Sequence, residues 1–143
     1  MSACFDASAL VKLLLDEDDS EIIGTLWDAT EDALASTVGY AEMRGSISRA
    51  LRGGRISADA YPTARLALER VWGSIVEIRL DGDLPRLAGT LADRHGLGAL
   101  DAIHLASALS IATADDRPTF VTFDRRLAEA ALAEGLPVLP QVT

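Results

Sequence analysis

The sequence predicts an α/β fold with three layers, α/β/α, around a short and mainly parallel central sheet. Short apolar runs alternate with longer stretches of helical periodicity, an order that is typical of α/β proteins. No repeat, low-complexity tract or Pro/Ser-rich linker interrupts this order. Strands separated by helices pair in parallel, and right-handed crossovers place helices on both sheet faces. We therefore expect one domain that spans residues 1–143.

The first half of the chain contains three predicted strands. A short apolar run ends at Asp6, and helical spacing of leucine and valine begins after it. The predicted elements are strand 3–5, a helix with Leu10, Val11, Leu13 and Leu14 on its apolar face, a helix with Ile22, Ile23, Leu26 and Trp27, strand 34–38, a helix from about 39 to 51 that Gly53 and Gly54 stop, a helix with Leu66, Leu68, Val71 and Trp72, and strand 75–78.

The second half repeats the pattern, and its clearest strand is the run 119–123, which Asp124 follows directly. The predicted elements are a helix with Leu84, Leu87, Leu91 and Ala92 that ends near Gly96, a helix with Leu100, Ile103 and 106–109, strand 119–123, a helix with Leu127, Ala130, Ala131 and Leu132 that ends at Gly135, and a short edge strand 137–139.

The charge balance argues against a protein that coats a duplex. The chain carries 13 basic and 22 acidic side chains, a formal net charge of −9, whereas duplex binding needs a basic surface. All basic residues except Lys12 are arginines, whose guanidinium groups bind phosphate through two hydrogen bonds. Arg44, Arg49 and Arg52 are candidate RNA-binding residues. The alternative is a solvated helix face.

The sequence also predicts a cytoplasmic protein that does not enter a membrane. No apolar run approaches the roughly 18 residues that a membrane-spanning helix requires. The N-terminus lacks a basic segment and reaches Asp6 too soon for a secretory signal. Cys4 is the only cysteine, which excludes an internal disulfide and a cysteine-based zinc cluster.

Two pairs of acidic residues form the candidate site. Asp6 and Asp124 follow two different predicted strands, at the sheet edge where parallel α/β folds bind ligands; each is also a plausible helix N-cap. Glu42 and Asp101 lie within predicted helices and have no lysine or arginine three or four residues away. Because an unpartnered carboxylate among apolar residues is costly to ionise, a bound metal is an attractive partner.

Four segments resemble a known family: residues 5–12 (FDASALVK), 40–44 (YAEMR), 100–106 (LDAIHLA) and 121–127 (VTFDRRL). Together they resemble PIN domains, and specifically VapC-type toxins, in the same order over essentially the whole chain. The resemblance implies that Asp6, Glu42, Asp101 and Asp124 are catalytic and hold the metal. It also implies that Ser8 and Thr122 lie beside this site.

The activity that the resemblance implies is magnesium-dependent cleavage of RNA by the toxin of a type II toxin–antitoxin system. A metal-activated water would attack the phosphodiester, leaving a 5′-phosphate and a 3′-hydroxyl, with Mg²⁺ as cofactor and Mn²⁺ as a substitute. We expect Asp6 and Asp101 to bind the ion directly, and Glu42 and Asp124 to bind it through water or to complete a second site. The expected partners are RNA, a VapB-type antitoxin and a second copy of the chain in a homodimer.

Other interpretations remain open. A PIN-like module that only binds RNA or a partner would be catalytically silent, although an incomplete acid set would be expected of it. Phosphoaspartyl enzymes need a lysine near the phosphoryl group, and the sole lysine, Lys12, lies within the first predicted helix. Glycine-rich nucleotide-binding motifs are absent from the sequence.

Four further residues have simpler expected roles. We expect His104 to hydrogen-bond within its own helix rather than to take part in the site. Trp27 and Trp72 lie in apolar helical stripes, so we expect both in the core. Cys4 should be a small buried apolar residue.

Overall fold

The computed structural model describes residues 1–141. Its elements are β1 Ser2–Phe5, α1 Ala7–Val11, α2 Ser20–Asp28, β2 Asp32–Ser36, α3 Val38–Arg52, α4 Tyr61–Gly73, β3 Ile75–Ile78, α5 Leu84–His95, α6 Ala99–Ile111, β4 Thr119–Val121, α7 Arg125–Ala133 and β5 Val138–Leu139. The predicted alternation of strands and helices is confirmed.

The five strands form one sheet in the order β3-β2-β1-β4-β5, and every neighbouring pair is parallel. β5 lies at one edge, as predicted for the last apolar run. β1 lies at the centre, and Ala3, Cys4 and Phe5 are buried, as expected where helices cover both faces. Because all strands run the same way, their carboxyl ends meet at one edge of the sheet.

Two apolar clusters confirm the three layers. Side chains alternate between the faces of a strand, so Cys4 and Phe120 pack with α5, α6 and α7. Phe5 and Val121 pack on the opposite face with α1 to α4. The sheet therefore separates two helical layers that have independent apolar contacts.

The expected core positions are confirmed only in part: Trp27 and Trp72 pack against the core but are partly buried, and Leu66, which was also predicted on an apolar helix face, is 61% exposed. The Trp27 ring centroid lies 5.4 Å from that of Phe5, and Trp72 contacts Tyr40 edge-on at 5.6 Å. Cys4 is buried, and burial raises the pKa of its thiol to about 12. Within residues 1–141, no helix combines the length and apolar character needed to cross a bilayer.

Two predicted strand boundaries were wrong. The second strand was predicted at 34–38 but spans Asp32–Ser36, because its early residues pair with β1 and the backbone is already helical at Thr37. The fourth strand ends at Val121 instead of residue 123. Beyond it, the Phe123 N–H donates to Ser8 Oγ at 3.1 Å. At Phe123 a side-chain oxygen thus takes the place of a backbone carbonyl of a neighbouring strand. Two residues therefore separate the end of the strand from Asp124.

Glu134 joins the ends of α5 and α7. Its Oε2 accepts hydrogen bonds from Arg94 Nη1 and His95 Nε2, both at 2.6 Å. These two bonds hold the pKa of Glu134 below its ordinary value of 4.5. The ionised carboxylate therefore stabilises the fold above pH 4.5, and this contribution is lost as the pH falls through the lowered folded-state pKa.

Glu134→Gln is expected to lower the free energy of unfolding by about 1 kcal/mol at neutral pH. Chemical denaturation at a series of pH values would measure the difference in the free energy of unfolding between the wild type and the variant. This difference should decrease as the pH falls below 4.5. Glu129→Gln is the matched control, because Glu129 is exposed and lies 4.0 Å from Arg125. Equal losses in the two variants would contradict a specific role for Glu134.

Candidate active site at the carboxyl edge of the sheet

A cavity of about 670 Å³ opens at the carboxyl edge of the sheet. The structure brings all four predicted acids to it, although they come from four separate segments of the chain. Its lining includes Asp6, Glu42, Asp101 and Asp124, together with Ser8 and His104. The predicted meeting point at the strand ends is therefore where these acids lie.

Asp6 is the most deeply buried of the four acids, with 3% of its surface exposed. Its Oδ1 accepts from the Ala9 N–H at 3.0 Å, which caps α1, and from Ser8 Oγ at 2.8 Å. Its Oδ2 accepts from Thr122 Oγ1 at 2.6 Å. Burial raises the pKa of Asp6, while the bonds from Thr122, Ser8 and Ala9 act in the opposite direction. Asp6 is thus both a helix cap and a wall of the cavity.

Asp124 also caps a helix. Its Oδ1 accepts from the Leu127 N–H at 3.0 Å at the start of α7, and its own N–H donates to Thr122 Oγ1 at 3.1 Å. Among residues 1–141, no hydrogen-bond donor reaches its Oδ2. Thr122 therefore contacts both strand-end acids, and Asp124 keeps one oxygen for a ligand.

Asp101 lies in the first turn of α6 and is half-buried. Within the described part of the chain, neither of its carboxylate oxygens has a hydrogen-bond partner. Burial raises the pKa of Asp101, the negative charges of Asp124 and Glu42 raise it further, and His104 opposes them. This carboxylate is therefore the one most in need of an external cation.

The predicted role of His104 was wrong. Its imidazole does not bond within α6 but reaches α3, where Nε2 lies 2.5 Å from Glu42 Oε1. Burial alone would lower the pKa of His104, but the Glu42 hydrogen bond and the charges of Glu42, Asp6 and Asp101 raise it. The sequence indicated that His104 faces the site, because residues three apart on a helix share a face and Asp101 precedes His104 by three, but it did not indicate Glu42 as the partner.

The cavity also has a basic wall, formed by Lys12, Arg49 and Arg55. A Cβ on Gly45 would lie 3.3 Å from Arg49 Nη1, so this glycine leaves room for the guanidinium. Arg49 follows Glu42 by seven residues, about two helical turns, which places both on one face of α3.

The other two candidate arginines lie elsewhere. Arg44 donates to the Tyr40 hydroxyl at 3.0 Å and faces the Tyr40 ring. Neither Arg44 nor Arg52 is among the residues that line the cavity. Lys12 and Arg55 were outside the candidate set. The turn after α3, in which the Arg55 N–H donates to the Ala50 carbonyl, places Arg55 beside this helix.

The donor set of the cavity suits a hard divalent cation, because carboxylate oxygens are the ligands that Mg²⁺ prefers. Asp101 and Asp124 each offer oxygens without a hydrogen-bond partner in residues 1–141. Across that same range, no three His, Cys, Asp or Glu side chains form a ready-made ligand group. Mg²⁺ does not require one, since it usually keeps several water ligands.

Comparison with known proteins identifies the family of this chain. A PIN domain model matches residues 3–132. Ribonuclease VapC49 of Mycobacterium tuberculosis (strain ATCC 25618 / H37Rv) is 37% identical over 136 residues, which cover 95% of this chain and 93% of that relative.

Two solved structures have the same fold. The sarcin-ricin loop cleaving toxin VapC20 of Mycobacterium tuberculosis superimposes with a TM-score of 0.69 at 18% identity, covering 94% of this chain and 96% of the other. A toxin–antitoxin complex from Klebsiella pneumoniae gives 0.60 at 20% identity, covering 86% and 87%. With its site at the expected strand ends, the chain belongs to the PIN domain family and is similar to the VapC-type ribonucleases.

Proposed function

We propose that this protein is a Mg²⁺-dependent endoribonuclease and the toxin component of a type II toxin–antitoxin system. One observation carries the proposal: four carboxylates from distant segments line a single cavity at the sheet edge. The relatives called ribonucleases support RNA as the substrate class. A catalytically silent PIN-like module is the alternative, and the complete acid set argues against it.

Asp6, Glu42, Asp101 and Asp124 would hold Mg²⁺, with Mn²⁺ as a substitute. When bound, the cation would supply a water nucleophile of lowered pKa and neutralise negative charge on the phosphate. Ser8 and Thr122 keep the Asp6 carboxylate oriented by donating to it. The proposed hydrolysis needs no covalent bond between the enzyme and the substrate.

Metal removal tests this proposal. Purified protein without antitoxin is expected to cleave RNA in Mg²⁺ or Mn²⁺, to lose cleavage in EDTA and to regain it when Mg²⁺ is restored in excess. Sequencing of the RNA ends should detect 5′-phosphates and 3′-hydroxyls. Binding of RNA without cleavage under every metal condition would favour the silent module, and 2′,3′-cyclic phosphate products formed in EDTA would contradict metal-dependent hydrolysis.

The basic wall of the cavity supports a second prediction. Arg49 and Arg55 have no carboxylate within ion-pairing distance among residues 1–141, although the chain has many acids. They are therefore available to RNA phosphates. Arg49→Gln is expected to raise KM by about three- to tenfold with little change in kcat, because an exposed guanidinium–phosphate contact contributes modest binding energy.

Steady-state cleavage of a short RNA would measure this change in KM, with Arg44→Gln as the comparison because Arg44 does not line the cavity. A larger KM effect for Arg44→Gln than for Arg49→Gln would contradict the assignment of the basic wall.

An antitoxin of the VapB type is the proposed partner, and the similar Klebsiella pneumoniae structure is a toxin–antitoxin complex. The surplus negative charge of the cavity suggests that an antitoxin arginine enters among the carboxylates. Titration of the purified complex with Mg²⁺ while RNA cleavage is followed would test this. Inhibition that is indifferent to replacement of every antitoxin arginine would count against it. We further propose that the protein forms a homodimer.

A further inference from the structure

We propose that His104 is a positioning residue, which holds the Glu42 carboxylate at the cavity so that its second oxygen faces the metal or substrate. This role rests on the proposed function, to which it adds a side chain that does not itself hold the metal.

The contact itself is specific. Because a carboxylate only accepts hydrogen bonds, Nε2 of His104 carries the hydrogen and donates to Glu42 Oε1 at 2.5 Å. The imidazole is 2% exposed. Its other nitrogen, Nδ1, is buried without a hydrogen-bond partner in residues 1–141. The bond to Glu42 is therefore the sole hydrogen bond of this ring within the described residues.

The ring is also held in place by its surroundings. Gly39, at the start of α3, lies against the ring, since a Cβ there would make ordinary contacts with His104 Cε1 at 3.8 Å and with Trp72 Cζ3 at 3.4 Å. Glu42, in contrast, has a long side chain that is only half-buried. A buried donor on α6 therefore fixes one carboxylate oxygen of Glu42 on α3, whose side chain is 23% exposed, and Oε2 of Glu42 keeps no hydrogen-bond donor among residues 1–141.

A purely structural role explains the arrangement less well. The bond connects helices that pack on opposite faces of the sheet, and an apolar side chain of similar volume would fill the same space. That side chain would not leave a buried nitrogen without a partner, which is unfavourable. The imidazole therefore orients Glu42, whereas an apolar side chain would stabilise the core more.

The test compares three replacements of His104. Glutamine places an amide nitrogen near the position of Nε2, whereas asparagine is too short and leucine has no donor. We expect His104→Leu and His104→Asn to weaken Mn²⁺ binding, measured by isothermal titration calorimetry, by about tenfold. Both should lower kcat for RNA cleavage more than they raise KM. His104→Gln should restore most of the Mn²⁺ affinity.

His95 provides the matched control. Its Nε2 lies 2.6 Å from Glu134, an equivalent histidine–glutamate contact that is not part of the cavity. His95→Leu should leave Mn²⁺ affinity unchanged. The double variant His104→Leu/Glu42→Gln should bind Mn²⁺ no more weakly than Glu42→Gln alone, because the histidine acts through the glutamate.

Wild-type Mn²⁺ affinity in both His104→Leu and His104→Asn would overturn the positioning role while the wild-type protein still cleaves RNA. If the leucine variant does not fold, equal affinities of the asparagine and glutamine variants would overturn it. A wild-type protein that neither binds Mn²⁺ nor cleaves RNA would instead overturn the proposed function, and the positioning role with it.

Discussion

Asp101→Asn is expected to reduce RNA cleavage by at least about a hundredfold, since groups that stabilise transition-state charge contribute this much. The substitution removes negative charge from a carboxylate whose oxygens have no hydrogen-bond partner within residues 1–141. It therefore removes a proposed metal ligand without breaking a hydrogen bond of the fold. Single-turnover cleavage in Mg²⁺ would measure the loss, and circular dichroism would check that the fold is intact.

Although Asp101→Asn should reduce RNA cleavage, it should make the metal-free fold more stable at neutral pH. Burial and the charges of Asp124 and Glu42 raise the pKa of Asp101. The metal-free wild type therefore loses stability as the pH rises through that raised value, and Asp101→Asn should lose less, because only the Asp6 carboxyl, whose pKa burial also raises, still contributes in this way at the site. Stabilisation by Mn²⁺, measured as a shift in Tm, should shrink in the variant.

Asp93→Asn is the control for this change of charge, because Asp93 is exposed on α5 and does not line the cavity. We expect Asp6→Asn to abolish cleavage as well, with the fold intact because asparagine also caps helices. Undiminished cleavage by both Asp6→Asn and Asp101→Asn would refute the proposed chemistry.

Thr122→Val is expected to lower cleavage by about 10- to 100-fold, the range typical of residues that orient metal ligands. It should also lower the free energy of unfolding by about 1–3 kcal/mol. Valine keeps the shape of threonine but cannot donate to Asp6 Oδ2, where the hydroxyl lies at 2.6 Å. It also cannot accept from the Asp124 N–H. Two of the four acids would thus lose orientation together.

Thr113→Val is the matched control, because the Thr113 hydroxyl also accepts a backbone N–H, from Asp116 at 3.0 Å, but lies in an exposed loop. Urea denaturation and RNA cleavage would be measured on both variants. A loss of stability in Thr122→Val without any loss of cleavage would assign the hydroxyl to the fold alone.

The position of Asp6 was predictable from sequence, because a short apolar run that stops at an acid has few interpretations. The sequence predicted that Asp124 lies near the end of a strand, but not that the strand ends three residues before it. The N–H groups of Phe123 and Asp124 donate to the hydroxyls of Ser8 and Thr122 and not to a neighbouring strand. No local sequence pattern predicts that these side chains replace the sheet as hydrogen-bond acceptors. The strand therefore ends earlier than its apolar residues suggest.

The pairing of His104 with Glu42 was not predictable from local spacing, since 62 residues separate the two. Helical periodicity describes one helix at a time, whereas this contact depends on how two layers meet at the sheet edge. The choice among arginines could have been made more sharply. Arg44 and Arg49 are five residues apart, which separates their directions on α3 by roughly 140°.

The order of the strands has a consequence for synthesis of the chain. β1 is made before the other four strands, yet one of its two neighbours is β4, which is made after β2 and β3. A nascent polypeptide therefore cannot complete the centre of its sheet, or bring Thr122 to Asp6, until translation has passed Asp124. For an enzyme of the proposed kind, this delays the capacity to damage cellular RNA until β4 and the segment that follows it have been made.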